Sequence, residues 1–209
     1  QNNPNHIYSV GIHSIKVMEN VPKDVVLRYS ALLHDVGKPK SRTTDEMGID
    51  HFKGHAAVSE KMCGSILKRL KMDNATIRDV KKIVYWHDFG ISGVIKKKTV
   101  RKMLSSMGPD YYDSYKAIKE ADIKGQSDYK LSERLEVVEL IDKYHKEIME
   151  EGDALTIKDL KLSGNDLKTI GVPSGPEMGE MLGYLLEQVL EDPKLNTKEK
   201  LARLVAKKL

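Results

Sequence analysis

The dipeptide His34-Asp35 closes an apolar run, Tyr29-Ser-Ala-Leu-Leu-His34-Asp35-Val-Gly-Lys38, that otherwise reads as an ordinary buried helix. A buried histidine or aspartate is costly unless it is hydrogen-bonded, ion-paired or coordinated. Any fold of this chain must bring partners to that point. Most of the other informative residues read as candidates for that role.

The apolar periodicity is helical almost throughout, and no run reads as a strand. A first helix covers roughly 5–20, with Ile7, Val10, Val17 and Met18 inward. Pro22 opens a second, which runs to Val36 until Gly37 ends it. The polar segment 39–53 reads as a loop. A third helix over 55–70 carries Val58, Met62 and Ile66 on one face, and a fourth over 77–87, capped by Asn74 or Thr76, turns Ile77, Val80 and Val84 inward. Gly90 and Gly93 interrupt the pattern. The basic segment Lys96-Lys97-Lys98-Thr-Val-Arg101-Lys102 leads into a short fifth helix ending near Gly108. A sixth spans 111–124, and Ser132 caps a seventh that lasts to Gly152. Glycine and proline then punctuate the chain before an apolar helix over 178–190 and an amphipathic one from Thr197. The fold expected is all-α: a helical bundle over 1–152 and a C-terminal helical extension over 153–209.

Bulk properties exclude several classes. With 209 residues the chain can bury a sizeable core. No apolar stretch approaches the ~20 residues of a membrane span, and no signal peptide is visible, so no membrane partner is expected. The one cysteine, Cys63, excludes an internal disulfide and fits a reducing, cytoplasmic compartment; it reads as inert core. A net charge of +4 permits contact with phosphates without demanding nucleic acid.

Residues three or four apart stack on one side of a helix. By that rule His13 lies between Val10 and Val17, His55 shares a face with Val58 and Met62, His87 continues the stripe of Ile77, Val80 and Val84, and Asp122 continues that of Tyr115 and Ile118. With His34 and Asp35 this makes six potential ligands that point inward. A lone inward histidine is more often a hydrogen-bonded core residue, and a lone aspartate a cap or ion pair. Six together in one small domain are expensive to leave unliganded. Imidazoles with carboxylates suit Mn, Fe, Co, Ni or Zn, and Mg where oxygen ligands dominate. The absence of thiolates argues against a structural zinc site.

The order His … His-Asp … His … His … Asp resembles the HD superfamily of metal-dependent phosphohydrolases, whose H…HD…D pattern maps to His13, His34, Asp35 and Asp122. His55 and His87 resemble the additional ligands of members that hold two metals. The stretches Gln-Asn-Asn-Pro-Asn-His-Ile-Tyr-Ser-Val, Ala-Leu-Leu-His-Asp-Val-Gly-Lys-Pro, His-Phe-Lys-Gly-His and Tyr-Trp-His-Asp are similar to the HD-containing body of bacterial CCA-adding tRNA nucleotidyltransferases. That similarity extends over essentially the whole chain. It implies a hydrolase of small phosphoesters: 2′,3′-cyclic nucleotides, nucleotides or terminal RNA phosphates. His13, His34, Asp35 and Asp122 would hold one divalent ion, and His55 and His87 would join Asp35 around a second. A bound water would then ionise near neutral pH. Lys38 would steady the phosphate as a point charge, the plain alternative being a lysine beside a helix C-terminus.

The resemblance also implies a rival, a non-catalytic body that grips tRNA. The segment Lys96, Lys97, Lys98, Arg101 and Lys102 is then the candidate for backbone contact, with Lys207 and Lys208 as outliers. A solvated helix face is the plainer reading of such a cluster. A nucleotidyltransferase head needs Gly-Ser followed by paired carboxylates. Gly64-Ser65 with Asp73 fails, because Ala75 stands at the partner position. No nucleotide addition is expected from this chain, and such a head would precede Gln1. A third reading is a metal held only for stability. His6 and His51 read as surface residues, with His51 a substitute for His55. His145 reads as structural, Asp88 as an orienting partner of His87, and Trp86 as core.

Overall fold

The computed structural model describes Asn2, residues 7–90 and residues 94–209. Asn5, His6 and Gly93, which the sequence reading used, lie outside the described residues. In chain order the helices are α1 (Val10–Asn20), α2 (Val25–Leu33), α3 (Lys38–Ser41), α4 (His55–Arg69), α5 (Asn74–Trp86), α6 (Lys97–Met107), α7 (Tyr112–Lys124), α8 (Leu131–Glu150), α9 (Gly164–Ile170), α10 (Pro176–Glu191) and α11 (Lys198–Lys208). The fold is all-α, with one antiparallel ribbon of β1 (Thr43–Thr44) and β2 (Asp50–His51) among the described residues. None of the described helices is long and apolar enough to cross a membrane. The chain divides into two compact units, residues 1–94 with 110–140 and residues 95–109 with 141–209. The boundary expected after Gly152 falls inside the second.

In the first unit α2 packs on α1 and α5, α5 on α4, and α7 on α1 and α2. Val17, Ala31, Ile83, Ile118 and Ala121 form one buried cluster; Leu33, Cys63, Leu67, Ile77, Val80 and Val84 form another. Burial pushes the Cys63 thiol up to about 12, so it is inert as expected. The N-cap of α5 is Asp73 rather than Asn74 or Thr76, its carboxylate accepting from Thr76 N at 3.0 Å and Thr76 Oγ1 at 2.6 Å. Ile7, expected inside, is 64% exposed, and Trp86 is only half-buried, packed edge-on against Tyr85 and Phe89.

The segment 39–53 is not simply a loop. It holds part of α3 and the ribbon, where Thr43 pairs with His51 and Thr44 with Asp50. Two-residue strands have no period to read; turn chemistry makes them. Asp45 accepts from Met47 N and Ile49 N, and Gly48 takes φ +76°. Asp50 is buried and receives Asn2 N, Arg42 Nε and Thr44 Oγ1.

Helix α2 stops at Leu33, and the chain turns through 34–37 instead of winding on to Val36. Gly37 does not end it through a left-handed conformation, since its φ is −81°. It is there for a close approach. A Cβ on Gly37 would lie 2.6 Å from both His55 O and Ser59 N, and Gly37 N donates to Ser59 Oγ at 2.9 Å. This contact also sets which face of α4 is inward. The buried line is His55, Ser59, Cys63 and Leu67, with small residues where the Gly37 backbone arrives; Val58, Met62 and Ile66 are half-buried flanks. Because backbone atoms cannot swing aside, Gly37→Ala is expected to destabilise the protein by about 1–3 kcal/mol. It is also expected to displace His55, whose main-chain oxygen the added methyl group would meet. Chemical denaturation checks the stability effect, and a variant with wild-type stability removes this account of Gly37.

The second unit has its own core, which includes Leu162, Leu167, Leu185, Val189, Leu201 and Val205. Helix α9 is an element the sequence reading did not resolve. Ser163 and Asp166 form a capping box at its start, and Gly171 ends it in the left-handed region at φ +102°.

Candidate metal centre

Five segments of the first unit carry the six expected ligands, and the structure brings all six together. His13 sits at the end of the first turn of α1, His34 and His87 are the C-cap residues of α2 and α5, Asp35 follows in the turn, His55 is the first residue of α4, and Asp122 lies in the last turn of α7. All are buried.

Each imidazole is fixed by the same device. His34 Nδ1 lies 2.7 Å from Ala31 O, His87 Nδ1 2.6 Å from Val84 O, His55 Nδ1 2.9 Å from Phe52 O, and His13 Nδ1 3.1 Å from Gly125 O. A carbonyl can only accept, so each Nδ1 carries the proton and donates. The two helix C-caps thereby satisfy carbonyls that the helix leaves unpaired. In the neutral rings all four Nε2 lone pairs are left facing inward.

They face one another. His13 Nε2 is 3.2 Å from His34 Nε2 and 2.9 Å from Asp122 Oδ1, and His55 Nε2 is 3.1 Å from His87 Nε2. Asp35 stands between the two pairs. Its Oδ2 is 3.3 Å from His34 Nε2 and 3.6 Å from His13 Nε2, while its Oδ1 is 3.2 Å from His55 Nε2 and 3.7 Å from His87 Nε2. Lone pairs and carboxylate oxygens at such distances repel unless a positive charge lies among them. Lys38 Nζ reaches to 2.7 Å from Asp35 Oδ2 but off the line of a hydrogen bond, so this buried oxygen accepts none. A donor set of imidazoles and carboxylates with an orphaned carboxylate oxygen fits a first-row divalent cation. The ring N–H to carbonyl bonds are the outer contacts that metal-bound histidines make.

Proton affinities show the same demand. Burial alone would lower the His34 pKa, but Asp35 and Asp122 outweigh it and carry it up to about 10. Burial alone would raise Asp35 and Asp122, yet their contacts with the histidines hold both well below the usual carboxylate range. Burial holds His87 below its ordinary value, whereas Asp35 lifts His55 against burial. In the absence of a metal, a proton on His34 stands in for the cation.

Three groups of ligand atoms are close enough to share an ion: His13, His34 and Asp122; His34, Asp35 and His87; and His55, His87 and Asp88. Asp88 was expected only to orient His87. Its carboxylate, 38% exposed, lies 3.9 Å from His55 Nδ1. A cavity of about 600 Å³ reaches the centre through Asp35, His55, His87 and Asp122, and does not touch His13 or His34. Lys38, Phe52 and Lys119 also line it, with Tyr129, Lys130 and Arg134. Lys119 and Gln126 are the residues sequence reasoning missed. Lys119 is buried one turn before Asp122, and burial pulls its pKa down to about 8 against the lifting charges of Asp122 and Asp88. Gln126 Nε2 donates to Asp122 Oδ1 at 2.9 Å and is itself held by Arg134. The spacing of Lys119 and Asp122 on one helix face was a usable signal; the reach of Arg134 was not.

The remaining candidates lie elsewhere. His51 is on the ribbon, 2.7 Å from Asp45, and His145 is half-buried in the second unit. The basic segment also belongs to the second unit and is largely engaged within it. Lys97 pairs with Glu151 at 2.7 Å and Glu147 at 3.2 Å, Lys98 with Glu191 at 2.8 Å, and Lys102 with Glu191. Arg101 is buried, 2.7 Å from Asp153 and donating to Leu190 O. Lys96, Lys207 and Lys208 are exposed, Lys208 lying over the Tyr184 ring.

Comparison with known proteins finds a match to the family described as tRNA nucleotidyltransferase domain 2 over residues 43–205. A stretch of 65 residues is 38% identical to the A-adding tRNA nucleotidyltransferase of Deinococcus radiodurans, covering 31% of this chain and 15% of that protein. No solved structure matches.

Proposed function

The chain belongs to the tRNA nucleotidyltransferase domain 2 family, and from that premise we propose that its buried histidine–aspartate centre is a divalent-metal-dependent phosphohydrolase site of the HD type. The observation that carries this reading is the convergence of four Nε2 atoms on the two oxygens of Asp35. His13, His34, Asp35 and Asp122 would hold one ion. His55 and His87 would hold a second with Asp35, and Asp88 is a further candidate. Such ions supply a nucleophile at neutral pH and neutralise charge on a phosphoryl group. Asp35, with an oxygen toward each set, would couple the two. Lys38, buried beside Asp35 and lining the cavity, is positioned to meet an anionic substrate. Small phosphoesters fit the reading: 2′,3′-cyclic nucleotides, nucleotides or RNA-end phosphates.

The family match supports a second reading, in which the chain is the tRNA-holding body of a nucleotide-adding enzyme. The segment Lys96–Lys102 supports it less, because most of its charges already have acidic partners. One preparation tests both. Incubation with Mn²⁺, Ni²⁺ or Mg²⁺ and a chromogenic phosphodiester is expected to give turnover that a chelator removes. No turnover with any metal sinks the hydrolase reading, and tight, salt-sensitive binding of tRNA by the same inactive protein would favour the second.

A further inference from the structure

A fully buried lysine lines the cavity that opens on the histidine–aspartate centre. Lys119, on α7, is 2% exposed. Its Nζ donates to the main-chain oxygen of His87 at 3.1 Å. An ammonium has three donors, and a neutral carbonyl uses one of them without pairing the charge. Among the described residues no carboxylate comes within ion-pair distance of this nitrogen. Burying a charge in this way is costly unless something compensates it. Asp122, one turn along the same helix, is engaged by His13 and Gln126.

The charge of the cavity says what the compensation is. Its lining holds the basic residues Lys38, Lys53, Lys119, Lys130 and Arg134 against the acidic Asp35, Asp88, Asp122 and Glu133. The balance is already positive by one, and each divalent ion adds two. A cavity so charged calls for an anion, and at its buried end two ammoniums, Lys38 and Lys119, flank the ligand residues.

We propose that Lys119 is a substrate-binding residue whose ammonium holds a non-bridging phosphoryl oxygen of the phosphoester beside Asp35, His87 and Asp122. This rests on the reading of the centre as a phosphohydrolase site. It adds to that reading a second phosphate-holding cation, one that belongs to α7 and not to the His34–Lys38 segment. A charge-assisted hydrogen bond to a phosphoryl oxygen is about twice as strong as a neutral one, and Lys119 has two donors left to make it.

The alternative is that Lys119 serves only to hold His87 in place. The variants Lys119→Met and Lys119→Gln separate the two, because glutamine keeps a donor for His87 O while losing the charge. The probe is inorganic phosphate, measured by equilibrium dialysis against wild type and both variants with Mn²⁺ present. Calorimetric titration of Mn²⁺ and a melting curve accompany each protein. The expected result is a phosphate affinity at least tenfold weaker in both variants, with Mn²⁺ affinity within about threefold of wild type and KM for the phosphodiester raised in parallel. Unchanged phosphate affinity, or no phosphate binding by wild type, overturns the proposal. So does a loss of Mn²⁺ affinity in Lys119→Met that Lys119→Gln restores together with phosphate binding, since Lys119 would then act through His87. If Lys119→Met does not fold, Lys119→Gln carries the same decision. Failure of the hydrolase reading shows separately, as absence of turnover in wild type, and leaves the dialysis result interpretable.

Discussion

Asp35→Asn is expected to abolish metal-dependent hydrolysis, lowering it by about a thousandfold or more, several kcal/mol of transition-state stabilisation. Asparagine fills the same volume, so helices α2 and α4 need not repack. What changes is the donor set. Asp35 directs Oδ2 toward His13 and His34 and Oδ1 toward His55 and His87. An amide replaces one of those oxygens with an NH₂ group, whose protons point at lone pairs or at a cation, and removes the negative charge that both sets share. Titration of Mn²⁺ into the variant is expected to lose one binding event and to weaken the other. Turnover unchanged from wild type would remove Asp35 from the chemistry, and with it the argument for two coupled ions.

The second large effect is on stability. Without metal, His34 holds a proton up to about pH 10, against an ordinary value of 6.5. A pKa raised by folding contributes stability that is fully present below about 6.5 and is lost as pH climbs toward about 10. Asp35 and Asp122 are shifted the other way. Their contribution is present above their ordinary value of 3.8 and disappears as pH falls through their depressed folded values. The chelated protein should therefore melt highest in the mildly acidic range and progressively lower on the alkaline side. A divalent ion replaces the His34 proton, so its stabilising effect grows as pH rises. At a thousandfold excess over Kd the gain is about 4 kcal/mol, which for a protein of this size is about 8–16 °C in Tm. Melting curves at pH 6 and pH 9, with EDTA and with Mn²⁺, check both statements. Equal Tm values in all four conditions would mean that the centre binds no ion.

The inward placing of His13, His87 and Asp122 was legible in the sequence because each lies three or four residues from a core residue on one helix face. His87 with Val80 and Val84, and Asp122 with Tyr115 and Ile118, follow that rule in the structure. Two kinds of feature were not legible. The first is close backbone approach. The inward line of α4 runs through Ser59 and Cys63 because Gly37 presses there, and hydrophobic pattern favours the larger Val58 and Met62. The second is pairing at long sequence separation. Lys97, Lys98, Arg101 and Lys102 find acidic partners about 50 or about 90 residues along the chain, and no local rule announces that. The same holds for Asp35, whose place in the sequence does not tell that its two oxygens face opposite ways.

The imidazoles of His34 and His87 each donate to a carbonyl three residues earlier, in the final turn of their own helix. This ties the ligand geometry to the winding of α2 and α5. If either final turn frays, its carbonyl rotates away, the ring loses its anchor, and Nε2 no longer converges with the others. The convergence of the four rings thus requires both helix ends to be wound: a chain caught with those two ends open has the same six residues and no common point for their nitrogens. Time-resolved metal capture during refolding would in effect clock the closing of two helix termini.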